Sequence, residues 1–141
     1  MSKANTTFEK GLALFSAVTS FIFVYYALGL LNASGVPQWD RVFGYVAIGY
    51  GLGNIYILSA VWRLSGGWAL WANKLIALCF YGVFLLDLFQ TGVKSNLEYV
   101  GALGVAGVLW LNWYAIKTLA GRRQEPATEE RKLKKQKGSR R

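Results

Sequence analysis

GLALFSAVTSFIFVYYALGLL, residues Gly11–Leu31, decides how this chain is read. It is an uncharged apolar run, and an α-helix rising about 1.5 Å per residue needs ~20 such residues to cross the hydrocarbon core of a bilayer. A cleaved leader has an apolar region of only about 7–15 residues, followed by small residues at the cut. Here the run is longer and Leu31-Asn32-Ala33 makes a poor cleavage site, so the expectation is a retained membrane helix.

Working outward, three more stretches match the first. With Phe8 included, the expected spans are about residues 8–31, 42–62 (VFGYVAIGYGLGNIYILSAVW), 68–89 (WALWANKLIALCFYGVFLLDLF) and 99–119 (YVGALGVAGVLWLNWYAIKTL). The connections NASGVPQWDR, RLSGG and QTGVKSNLE are short, which forces neighbouring helices to be adjacent and antiparallel. The expected fold is an all-α integral membrane protein. Residues 1–120 form an antiparallel four-transmembrane-helix bundle, and residues 121–141 a basic tail. That tail holds nine Lys+Arg, three Glu and a lone Leu133, a composition that cannot bury a core and predicts disorder, with transient helix over 129–137.

The whole-chain composition agrees. Of 141 residues 54% are hydrophobic and 16% charged, against about 25% charged in a typical soluble domain. There is no histidine, which excludes haem or zinc sites built on it and any Ser-His or Cys-His catalytic pair. The one cysteine, Cys79, can form neither an internal disulfide nor a thiolate cage, and reads as small apolar filler. No cofactor or metal is expected.

Charge sets the orientation. Four spans put both termini on one side, together with Lys3, Lys10, Arg63, Lys74, Lys117 and the tail, while Arg41 and Lys94 fall on the other. Short basic flanks stay cytoplasmic, so both termini are expected in the cytoplasm, with a bacterial inner membrane favoured over endoplasmic reticulum. Trp62, Trp68, Trp71, Trp110 and Trp113 cluster at the cytoplasmic ends of the spans, as an anchoring belt would, and Trp39 lies at the outer end.

Gly49-Tyr50-Gly51-Leu52-Gly53 invites three readings. A nucleotide-binding glycine loop needs a preceding strand and a following acidic residue, and neither is present. Ile48-Gly49-Tyr50-Gly51 resembles the potassium-channel filter over four residues, but Ala47 replaces the threonine of that loop, and Ile55–Trp62 is too short to return across a membrane. Packing remains: Gly49, Gly53 and Ala60 form one smooth face, and Gly101, Gly104 and Gly107 a second, meeting either inside the monomer or between chains.

Four polar residues are the candidate intramembrane groups. Asp87 is costly at the end of a span, where the helix dipole is already negative. It reads either as an interfacial carboxylate that reaches outer water or pairs with Arg41, or as a proton- or cation-binding group. Asn54 and Asn112 are expected to hydrogen-bond neighbouring helices, with Tyr45, Tyr50 and Tyr56 able to gather around Asn54. Lys74 is expected to snorkel to the cytoplasmic surface. In the tail, Arg131, Lys132, Lys134, Lys135 and Lys137 suit anionic lipid headgroups. With no aromatic after Tyr114 there is no base-stacking platform, which argues against nucleic acid as a partner.

Three functions fit these residues. The leading one is a non-catalytic accessory or assembly subunit of a larger membrane complex, partnered by lipids and by other membrane subunits or itself. The others are a small oligomeric transporter or channel using Asp87, and a membrane enzyme acting on a lipophilic substrate.

Overall fold

The computed structural model describes the backbone of residues 3–61, 66–91 and 96–138, and side chains over 7–61, 67–90 and 96–121. Four α-helices follow one another: α1 (Lys3–Asn32), α2 (Gln38–Ala60), α3 (Gly66–Thr91) and α4 (Asn96–Gly138). The stretches Thr7–Asn32, Gln38–Ala60, Gly67–Gln90 and Asn96–Gly121 are each long and apolar enough to cross a membrane. At 1.5 Å per residue they measure about 35 to 39 Å, against a hydrocarbon core of about 30 Å. Each expected apolar stretch overlaps one of these helices.

The α1–α2 connection shows how sequence dictates the turn. Gly35 takes φ 75, a left-handed conformation that costs glycine little, just past the end of α1. Pro37 then precedes α2 with φ −55 and ψ 153, and its carbonyl accepts the amide of Arg41 at 3.2 Å. Proline suits this place because it offers no amide hydrogen and cannot extend a helix backwards.

The helices close into a ring, α1 against α2, α2 against α3, α3 against α4 and α4 back against α1. Two apolar clusters fill its interior. One gathers Ile57, Val61, Ala69, Ala72, Ile116, Leu119 and Ala120. The other, toward the opposite end, gathers Ala27, Phe43, Ala47, Tyr50, Phe80 and Leu109. In the second, Phe80 stacks on Tyr50 at 4.9 Å between ring centres, and Phe23 meets both edge-on at 5.6 and 5.1 Å.

The α1–α2 contact is the closest one shown by the glycines. A Cβ on Gly51 would lie 2.7 Å from the backbone oxygen of Ser20 and 2.6 Å from Val24 Cγ2. A Cβ on Gly44 would meet the side chain of Leu31 at 2.9 Å. The expected packing glycines lie elsewhere. Gly49, Gly101, Gly104 and Gly107 have open space where a Cβ would be, Gly53 touches only Ile76 at 3.2 Å, and Ala60 is buried. The two smooth faces therefore do not meet inside the monomer. A helix has several faces, and glycine spacing alone does not say which one a neighbour takes.

Two further expectations differ. Cys79 is exposed on the outer face of α3, so it fills no core position. α4 continues as one helix to Gly138, across the segment whose composition predicts disorder. Lengthening a helix that already exists costs little, because each added residue except Pro126 gains a hydrogen bond, and this segment is rich in Lys, Arg and Glu.

Candidate functional site

Between the two apolar clusters lies a layer of polar side chains drawn from all four helices. Ser16, Ser20, Asn54, Asn73 and Asn112 are each 0% exposed. Asn54 is the hub. Its amide nitrogen donates to Ser16 Oγ at 3.0 Å and Ser20 Oγ at 2.8 Å, tying α2 to α1. Its amide oxygen accepts from Asn73 Nδ2 at 2.7 Å, tying α2 to α3. The Ser20 hydroxyl in turn donates to the Ser16 carbonyl at 2.7 Å.

A second branch runs through α4. Asn112 Nδ2 donates to Tyr50 Oη at 2.8 Å, and Asn112 Oδ1 accepts from Thr19 Oγ1 at 3.1 Å. Asn54 and Asn112, expected to bond neighbouring helices, are placed in this layer, as is Tyr50. Tyr45 and Tyr56 point outward and take no part.

One valence stays open, because Asn73 Oδ1 is buried without a hydrogen-bond partner. Turning over the amides of Asn54 and Asn73 together preserves their bond and leaves the Asn73 nitrogen open instead. The open end therefore belongs to the network, whichever way the amides face. Chemically the layer is amide and hydroxyl, suited to hydrogen bonding rather than to proton transfer.

Sequence reasoning missed Ser16, Thr19, Ser20 and Asn73. The signal was present: Ser16, Thr19 and Ser20 stand at i, i+3 and i+4, one helical face. Counted from the shared ends of four antiparallel spans, Ser16, Asn54, Asn73 and Asn112 also fall at similar depth.

A second locus lies at the other end of the bundle. The neighbour that meets the Asp87 side chain there is a carboxyl group, Asp40 in the first turn of α2. Arg41 itself is exposed.

A third locus joins α3 and α4 near the end that carries the basic flanks. Lys74 Nζ lies 5.4 Å and Lys117 Nζ 5.1 Å from the centre of the Trp113 ring. The indole Nε1 is enclosed without a hydrogen-bond partner. Trp110 stacks on Tyr114 at 5.7 Å one turn away, and Trp68, Trp71 and Trp110 are exposed. Trp62, Lys94 and the side chains of Arg131, Lys132, Lys134, Lys135 and Lys137 lie outside the described residues.

Among the described residues no three His, Cys, Asp or Glu side chains gather as a metal site would require. Comparison of the chain with protein-family models, with curated proteins and with solved structures gave no match.

Proposed function

We propose that this chain is a four-span integral membrane protein, with both termini cytoplasmic in a bacterial inner membrane, that serves as a non-catalytic accessory or assembly subunit of a larger membrane complex. The observation that carries the reading is where the polar groups go. The buried amides and hydroxyls bond one another across all four helices, so they hold the bundle together. What faces outward is apolar, with Tyr25, Leu78 and Leu97 all more than 70% exposed. A soluble monomer rarely shows large contiguous apolar patches, whereas lipid tails and partner helices both accept such a surface. On α4 the open positions Gly101, Gly104 and Gly107 would let another helix approach closely.

The test is the mass of the particle extracted from native membranes in mild detergent, read by native mass spectrometry. Foreign chains at fixed stoichiometry support the subunit role. A solitary chain or a pure homo-oligomer overturns it.

A small transporter is the second reading, favoured by the Asp87–Asp40 contact, which brings two carboxyl groups together at one end of the bundle. It requires flux in proteoliposomes that Asp87→Asn abolishes, and an inactive parent protein removes its basis.

A further inference from the structure

We propose that Lys74, Lys117 and Trp113 form a binding site for the phosphate of an anionic phospholipid of the inner leaflet, on the α3–α4 face of the bundle. The proposal rests on the membrane reading above and is separate from any attraction the basic tail exerts.

The geometry begins with helix direction. Side chains lean toward the N-terminus of their helix. Lys74 stands seven residues into the Gly67–Gln90 span, about 10 Å along the axis, and its stem leans back toward the basic end. Lys117 stands four residues before the Gly121 end of its span, about 6 Å in, and its stem leans the opposite way, deeper. The deeper lysine reaches outward and the shallower one inward, so the two ammoniums converge on one ring, at 5.4 and 5.1 Å.

That convergence needs explaining. An exposed lysine so near the end of a span gains most by extending into the headgroup region or water. Lys117 instead holds its charge against Trp113, one turn deeper. The ring attracts each cation, but a quadrupole neutralises neither. The two like charges at this ring repel, and an anion that reaches both turns that repulsion into two attractive pairs.

The depth selects the anion. Both lysines sit within about two turns of the span end, where the phosphates of the inner leaflet lie. Trp71 and Trp110, both exposed, are amphipathic residues of the kind that favours this boundary. Trp71 precedes Lys74 by three residues, and Trp110 precedes Trp113 by three, so each shares a helical stripe with the site.

The experiment is native mass spectrometry of the full-length protein, titrated in neutral detergent with phosphatidylglycerol, with phosphatidylcholine or with inorganic phosphate. The variants are K74Q/K117Q and K74R/K117R, and the tail is unchanged in all. Wild type should retain one phosphatidylglycerol at least tenfold more tightly than K74Q/K117Q, K74R/K117R should restore most of that preference, and phosphatidylcholine should not distinguish them. Equal phosphatidylglycerol binding in wild type and K74Q/K117Q overturns the site, as does loss in K74R/K117R together with loss of helical content. Lysine-dependent retention of inorganic phosphate in place of the lipid overturns the lipid assignment. Failure of the membrane reading is visible separately: the protein would then leave membranes in alkaline carbonate and stay soluble without detergent.

Discussion

Replacing Asn54 by alanine removes the hub of the polar layer, and the structure gives the size of the effect. Three hydrogen bonds go at once, to Ser16, Ser20 and Asn73. Interhelical bonds of this kind average about 0.6 kcal/mol in membrane bundles and reach ~1.7, so the three together account for about 2 kcal/mol. Asn73, already open at one amide atom, loses its other partner and stays buried, and an unsatisfied buried group costs a further ~1–3 kcal/mol. The expected loss is therefore about 3–5 kcal/mol. It would be read from reversible unfolding in mixed micelles, as denaturing detergent is titrated against helical circular dichroism. Asn54→Leu, which fills the space without bonding, should recover only the part due to packing. In a double-mutant cycle, Asn54→Ala and Asn73→Ala should fall short of additivity by about 1 kcal/mol or more, because either change alone breaks their shared bond. A loss below about 0.5 kcal/mol for Asn54→Ala, with additive behaviour, would refute the claim that this layer ties the helices together.

Gly51→Ala should destabilise the fold by about 1–3 kcal/mol in the same assay, since its Cβ would press on the Ser20 backbone, whereas Gly49→Ala, into open space, should be neutral or slightly stabilising. A nitroxide attached to Cys79, the one native thiol, should collide more often with dissolved oxygen than with a water-soluble nickel chelate, because its helix face looks outward from mid-span; the reverse ranking would place that face in water. Fusions at the C-terminus should give a fluorescent cytoplasmic reporter and an inactive periplasmic phosphatase, and an active phosphatase would invert the orientation drawn from the basic flanks.

The four long apolar helices were legible because length and apolarity are properties of single segments, and GLALFSAVTSFIFVYYALGLL meets both without reference to anything else in the chain. Asn54 and Asn112 were legible for the same reason, as amides inside apolar runs cost too much to be left alone. What sequence could not assign was pairing. Asn73 stands beside Lys74, and its neighbour's charge draws the attention, although it is Asn73 that is fully buried. Ser16, Thr19 and Ser20 are small enough to pass for filler until another helix brings an amide to them. The glycines carry the same lesson: Gly49 and Gly51 are two residues apart, yet only Gly51 faces α1, and rotation of α2 about its axis is set by all its neighbours together.

The position of the polar layer follows from the cost of burying it. In the proposed membrane setting each such bond is worth about as much as in water, and it is their number at one level, linking all four helices, that selects the helix order. Apolar contacts alone would not, since Leu against Leu is worth little more than Leu against lipid. Here the ring of four helices is held in register at a single level by Asn54 and Asn112, with Ala- and Ile-rich packing on one side and the Phe23–Tyr50–Phe80 cluster on the other. With helix order dictated from within, the outer faces carry no burden of specifying the fold. Gly101, Gly104 and Gly107 can stay bare and Lys74 and Lys117 can turn toward Trp113, which is where contacts with other molecules are best sought.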